Sequence, residues 1–378
     1  MTKNNVVFIM LMLMLLIIAL SVNAEDYSDL KLVYNINKGL NNRQYELENN
    51  SERLFIPEFY VRGIYVTGWV AGTSKMDSLI NLVDNSIINT MVIDIKDQRG
   101  LLSHKSDIPL AQQIGANRRK IKNVKQLIQK LHSRGIYTIA RIVVFKDMLL
   151  ASNRNDLALE LHYSTTGEIL KSDLWVNPSK KEVWDYNIMI AREAAMMGFN
   201  EIQFDYIRFP AMGEGALQAV VPADKKKSTI INQFAQYASD QLSDLNIPIS
   251  VDVFGMTTSV EGDLGIGQDF KELSDIINIM SPMVYPSHYS SGHFGLKIPE
   301  IEPYKVIYSS LTDAKNKVSG KNNIKIRPWL QDFTINHKYS SKEIKEQIKA
   351  VEELGIKEWF LWNPGSRYTR EAIEKLPH

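Results

Sequence analysis

From Val61 onward the chain alternates short apolar runs rich in β-branched residues with longer stretches whose apolar positions recur at helical spacing. The runs are Arg62 to Val70, Thr90 to Asp97, Ile136 to Val144, Glu201 to Phe209, Pro248 to Gly255, Ile276 to Tyr285, Ile324 to Phe333 and Glu358 to Trp362. Several are apolar on both parities, as expected of parallel strands covered on both faces. The stretches between them predict helices over Met76 to Ile88, Ile121 to Ser133, Lys181 to Met197, Thr229 to Leu245, Phe270 to Ser274, Pro303 to Val318 and Lys342 to Leu354. Asn177-Pro178-Ser179 is a start signal for the third of these, and Gly135, Gly198 and Gly355 each close a helix shortly before the next strand. Eight repeats of this kind predict an α/β chain with a single (β/α)₈ TIM barrel over residues 59–378. The competing architecture is an open doubly wound sheet, but no Gly-rich nucleotide loop follows the first run.

The first residues follow a different pattern. Lys3 precedes an apolar run from Val6 to Leu20, and Ser21-Val22-Asn23-Ala24 supplies small residues at a cleavage position. Residues 1–24 therefore predict a signal peptide cut after Ala24, with an uncleaved anchor as the alternative, and a secreted or cell-envelope protein. Residues 25–58 are polar and Asn-rich and predict a linker or a cap under the barrel. The 44 Lys and Arg against 43 Asp and Glu leave a formal charge of +1, so nothing points to nucleic acid or a membrane surface. The absence of cysteine excludes thiol nucleophiles, a lipid-modified cysteine, and Cys-based zinc or iron–sulfur centres. Richness in Lys, Asn and Ile fits a bacterial product, and with no coiled coil a monomer is expected.

Long connections at 98–120, 145–180 and 211–227 follow the second, third and fourth runs, on the rim where such barrels keep their chemistry. The middle one carries His162, Tyr163, Trp175 and Asn177, which suits a carbohydrate platform, although a Trp there equally plugs the loop's own small core. The run ends bring Thr67, Trp69, Asp94, Lys96, Asp97, Arg141, Gln203, Asp205, Tyr206, Arg208 and Asp252 toward the same rim. Tyr285, His288, Tyr289, Arg327, Trp329, Gln331, Asp332, Trp362 and Asn363 follow from the last three runs. A rim of carboxylates and aromatics is the pattern of a glycosidase pocket, which needs one protonated and one ionised carboxyl group. Asp205 is the first choice for the ionised member, with Arg208 and Lys96 as expected neighbours. Asp252, on an otherwise apolar run, is the first choice for the acid, with Asp332 as competitor. Asp94 and Asp97 are expected to orient substrate hydroxyls or to hold Lys96. Each Asp also has a bland reading as a helix cap or an arginine partner, and His288 as packing against Tyr285. No histidine motif for a metal, no nucleotide loop and no GxSxG elbow occurs, so no metal or cofactor is expected and esterase chemistry is disfavoured.

The segments RGIYVTGW, VIDIKDQRG, WVNPS, FDYIRFP, VDVFG with the later DLGIGQ, MSPMVYPSHY and RPWLQDF occur in order along the chain. Together they resemble a bacterial family of glycoside hydrolases long carried as a domain of unknown function, distantly related to the α-amylase-like barrels. The resemblance spans about Val61 to Pro364. It implies a nucleophile at the end of the fourth strand, matched by Asp205, and a stabilising Asp after the seventh, matched by Asp332. The general acid of those barrels is a Glu on the fifth strand, where this chain has Asp252. Gln203 stands where an Arg is usual two residues before the nucleophile, with Arg208 or Arg141 as substitutes. The expected function is hydrolysis of O-glycosyl bonds in an extracellular or cell-wall polysaccharide. The alternative is a catalytically inactive carbohydrate-binding or envelope protein, favoured by a cleft retaining Trp69, Trp329 and Trp362 with Asp205 paired off to a buried Arg.

Overall fold

The computed structural model describes residues 59–212, 217–321 and 323–375, so the expected signal peptide and linker lie outside the described residues. Eight parallel strands form the barrel: β1 (Arg62–Val66), β2 (Thr90–Lys96), β3 (Tyr137–Val143), β4 (Glu201–Asp205), β5 (Ile249–Phe254), β6 (Ile279–Met283), β7 in two pieces (Lys325–Ile326 and Trp329–Gln331) and β8 (Trp359–Trp362). Each pairs with its successor, and β8 pairs with β1, so no edge is left open. Pro328 interrupts β7 because it has no N–H for the ladder. The Arg327 N–H still reaches Met280 O, and Pro328 O still accepts from Phe360 N, both at 2.9 Å.

Helices follow the first seven strands: α1 (Lys75–Asp84), α2 (Val124–His132), α3 (Lys181–Met196), α4 (Lys227–Leu242), α5 (Phe270–Leu273), α6 (Pro303–Lys317) and α7 (Ser341–Glu353). Local caps set several starts. The Asn123 side chain accepts from Gln126 N to open α2, and Ser340 with Glu343 forms a reciprocal capping box on α7. Behind β8 there is only the 3₁₀ turn Arg370–Ala372. Strand residues of one parity, such as Ile64, Val66, Ile93, Ile142 and Phe204, pack outward against Leu79, Ile128, Ile190, Phe234 and Ile348 of the helices. The other parity fills the barrel with Val61, Tyr65, Val92, Tyr137, Ile139, Trp329 and Phe360.

Two strands stop earlier than their apolar runs. β1 ends at Val66 because Thr67 Oγ1 accepts from Val70 N at 3.1 Å and turns the chain into the short helix Gly68–Ala71. β4 ends at Asp205 because Tyr206 takes a left-handed φ of 54°, which no strand can continue through. The long connection after β3 is also more ordered than its composition predicts. It contains a helix (Met148–Asn153) and an antiparallel hairpin (Ala158–Tyr163 with Ile169–Val176), and Leu217–Ala219 from the connection after β4 pairs with that hairpin.

The N-terminal end of the barrel is closed by charge as well as by apolar packing. Arg327 Nη1 donates to both carboxylate oxygens of Glu201 at 2.8 and 2.9 Å, and its Nε to Glu358 at 2.8 Å. Ser250 and Tyr137 add hydroxyl donors to Glu201. Burial works against the charged guanidinium, but Glu201 and Glu358 outweigh it and hold Arg327 more basic than a free arginine.

Candidate active site

At the opposite end, the register assembles a second charged group from adjacent inward positions. Asp94 of β2 lies beside Arg141 of β3, which lies beside Gln203 of β4, and Asp205 is one pleat further along. Arg141 Nη1 donates to Asp94 Oδ1 at 2.6 Å, and its Nε and Nη2 both donate to Asp205 Oδ2, the former at 3.0 Å. The same Nε is 3.8 Å from Asp252 Oδ2 of β5. Asp252 Oδ1 accepts from the Trp329 indole N–H at 2.7 Å, and Asp94 Oδ2 from the Tyr65 hydroxyl at 2.5 Å. Trp362 stacks on Tyr65 with ring centres 3.8 Å apart, and the Arg141 guanidinium lies 5.1 Å from the Trp362 ring.

One guanidinium thus serves three carboxyl groups in a space closed to bulk water. Burial pushes the Asp252 carboxyl well above the usual carboxylate range and the charge of Asp205 pushes it further, while Arg141 and the Trp329 N–H pull only partly against them. Burial raises Asp94 as well, with Arg141 and Tyr65 opposing. Arg141 itself is driven down by burial but carried well above its ordinary value by Asp205 and Asp94. Asp252 is thus raised more strongly than Asp94. The Tyr285 hydroxyl and Gln203 Oε1 are buried in the same layer without a hydrogen-bond partner among the described residues. Among the described residues no group of three His, Cys, Asp or Glu is placed to hold a metal ion.

The guanidinium on Asp205 is not the expected one. Lys96 is turned away, because a bulge between Asp94 and Lys96 shifts it out of the inward phase. Its ammonium is buried 2.7 Å from Asp147 Oδ2 and also donates to Val143 O and Asn187 Oδ1, so it is a structural ion pair and not a substrate ligand. Arg208 makes no ion pair with Asp205 among the described residues; its guanidinium lies against the rings of Phe254, Trp175 and Tyr206 at 4.3, 4.9 and 5.0 Å. Asp97 holds Lys120 and Arg99, not Lys96, and accepts the N–H groups of Arg99 and Leu101.

The remaining candidates divide in the same way. Asp332 lies outside the Arg141 cluster, with both oxygens taken by Thr369, Oδ2 by its N–H at 2.9 Å and Oδ1 by its hydroxyl at 2.8 Å. Burial raises its carboxyl and those two donors restrain the rise. Gln331 accepts from Ser287 and donates to Phe333 O, and Asn363 donates to Asp332 O, so both pin the loops above β7 and β8. His288 packs between Tyr285 and Phe333, and burial lowers its basicity, with Glu300 opposing. Trp175 is buried and Trp329 points into the barrel, whereas Trp69 is 56% exposed with the Lys120 ammonium 5.1 Å from its ring. Two residues join the site that the sequence did not single out. Tyr65 shares the inward parity of β1, a signal that was present; Lys146, beside Tyr206, carries none.

Comparison with known proteins agrees with this architecture. The glycoside hydrolase domain of PgaB (BpsB) from Bordetella bronchiseptica superposes with a TM-score of 0.57 at 11% identity, covering 82% of this chain and 95% of its own. The catalytic domain of β-amylase from Paenibacillus polymyxa gives 0.53 at 8% identity, covering 84% and 96%. At such identities the likeness is one of fold. A hypothetical protein from Ruminiclostridium thermocellum ATCC 27405 is 37% identical, covering 50% of this chain and 97% of its own, with a TM-score of 0.45. No protein of curated function matches the sequence. Residues 63–368 match the model of the family described as "putative glycosyl hydrolase domain", and the chain belongs to that family.

Proposed function

We propose that this protein is an exported glycosidase that cleaves O-glycosyl bonds of an extracellular or cell-wall polysaccharide, with Asp252 as general acid and Asp205 as the ionised partner. The observation that carries the reading is the shared Arg141 Nε. It lies 3.0 Å from Asp205 Oδ2 and 3.8 Å from Asp252 Oδ2, so those two oxygens are closer than the sum of the two distances. That bound brings the two carboxyl groups within reach of the ~5–5.5 Å typical of retaining enzymes. On the retaining course, Asp252 gives its proton to the leaving oxygen as Asp205 bonds to the anomeric carbon. Water then attacks that carbon, displaces Asp205 and returns a proton to Asp252. Asp205 Oδ2 already accepts two N–H groups, whereas Oδ1 accepts only the Tyr206 N–H, at 2.5 Å, so Oδ1 is the attacking atom.

A binding-only protein is the second reading, and one observation favours it: Asp205 is paired to a buried arginine, and Asp205 and Asp252 are only 3% and 1% exposed. Two observations oppose it. Trp329 is spent on Asp252 and not on a binding face, and Arg141 orients Asp205 much as a positioning arginine would. Reducing-end release from a panel of bacterial polysaccharides, with Asp205→Asn and Asp252→Asn alongside, separates the two. Activity lost in both variants with folding intact supports the glycosidase. Binding without cleavage by the unaltered protein supports the other reading.

A further inference from the structure

Three arginines are buried among the described residues: Arg141, Arg208 and Arg327. Arg141 holds Asp94 and Asp205, and Arg327 holds Glu201 and Glu358. The two buried lysines are paired as well, Lys96 with Asp147 and Lys120 with Asp97. Arg208, only 8% exposed, has no carboxylate within ion-pairing distance among the described residues. Its one hydrogen bond runs from Nη1 to Phe209 O at 2.9 Å, and its other N–H groups are left without a partner among these residues. Aromatic faces explain how a guanidinium is held there, but they do not supply the counter-charge that every other buried cation in this barrel has.

A second cation shares the position. Lys146, half-buried on the connection after β3, has its ammonium 5.3 Å from the centre of the Tyr206 ring, the ring that also faces Arg208. It makes no ion pair among the described residues, and Arg208 is close enough to depress its basicity after burial has done so. Two like charges are therefore gathered on one tyrosine directly after Asp205. Asp205 eases this crowding across space, but its own oxygen is spent on Arg141, so the two cations have no anion of their own among the described residues.

We propose that Arg208 and Lys146 form a subsite for an anionic substituent of the glycan, a carboxylate or phosphate on a sugar near the bond presented to Asp205. The planar fork of Arg208, steadied by Trp175, Tyr206 and Phe254, would grip two oxygens, and Lys146, at the same tyrosine, would add a point charge. The inference rests on the glycosidase reading for its substrate but not for its test, which measures binding.

The test uses the protein with Asp205→Asn as background, so that no probe is consumed, on immobilised glycans. The probes are a polyuronate, the same polymer with its carboxyl groups reduced to alcohols, and a glycan with phosphodiester links. Retention on one acidic probe about tenfold stronger than on the reduced polymer, weakening as salt is raised, is the expected result. The acidic probe that is retained tells carboxylate from phosphate. Lys146→Gln, on a half-exposed side chain, and Arg208→Gln should each bring acidic and reduced polymers toward parity, with Arg208→Lys intermediate. If Arg208→Gln fails to fold, Lys146→Gln carries the test alone. Equal retention of charged and reduced polymers, or retention of neither acidic probe, overturns the subsite. Acidic retention with no reducing-end release by the unaltered protein overturns the glycosidase reading and leaves the subsite standing.

Discussion

The two ends of the barrel are built from the same parts and reach opposite electrical states. At the floor, the buried Arg327 is shared by Glu201 and Glu358, and the solvent-exposed Lys325 meets Glu358 from outside, so two carboxylates have two cations. At the mouth, Arg141 alone faces Asp94, Asp205 and Asp252. A network with a cation for each carboxylate is held by pairing, whereas a carboxylate excess in a dry site favours neutral forms. The floor therefore acts as a clamp on the strand ends, whereas at the mouth burial raises the carboxyls of Asp252 and Asp94. Charge balance, more than the kind of residue, separates structure from chemistry here.

The largest expected effect comes from removing each arginine. Arg327→Met strands Glu201 and Glu358 in the interior and should lower stability by about 3–5 kcal/mol. Arg141→Met should cost less, about 1–3 kcal/mol, because Asp94 and Asp252 already lean to their neutral forms and can take up protons. Denaturant midpoints of the two variants give the comparison directly, and equal losses would show that the two ends do not differ as described.

A smaller effect lies in the pH dependence of stability. Asp252 is raised in the folded protein, so the folded state holds its proton more tightly than the unfolded chain does. Its contribution is fully present below the ordinary carboxylate value of 3.8 and is lost as pH rises toward the raised folded value. Asp252→Asn removes this titration, so its stability should gain on the unaltered protein above about pH 4, by up to about 1.4 kcal/mol per pH unit while that group titrates alone. Parallel melting curves of the two proteins across that range would contradict the assignment.

The smallest effect should come from Trp329→Phe, which keeps the ring and deletes the N–H that restrains Asp252. About 1 kcal/mol of stability should go with the hydrogen bond. Asp252 should then hold its proton to higher pH, so the alkaline limb of kcat/KM moves upward. A limb that stays in place would assign the acid elsewhere, with Asp332 next in line.

The barrel was legible from the sequence because both of its signals are local. Strands apolar on both parities and helices bounded by Asn123, Ser340, Gly198 or Gly355 are specified within a few residues of where they act. The site was legible as a set of inward positions but not as a set of pairs. That Arg141 and not Lys96 meets Asp205 depends on a bulge between Asp94 and Lys96, and one residue of register moves a side chain to the opposite face. The partner of Lys96 is Asp147, which no spacing links to it. Asp332 had the right strand for catalysis, yet Thr369, distant in sequence, takes both of its oxygens. The hairpin Ala158–Tyr163 with Ile169–Val176 was hidden because it is stitched by Leu217–Ala219, a strand of three residues from another connection.

The segment after β8 works as a fastener for the whole ring. Where the other strands are followed by helices, this end is fastened by Thr369 on Asp332, by the Tyr368 hydroxyl on Tyr65 O at 2.5 Å, and by Ile87 N on Ile373 O at 2.9 Å. These ties reach back to β1, to the turn before β2 and to the end of β7, so the segment after β8 bolts the first and last strands of the ring together. A chain cut after Asn363 should therefore be far more open to protease along the β8–β1 seam than the unaltered protein, and Thr369→Val, which removes one tie, should be only slightly so.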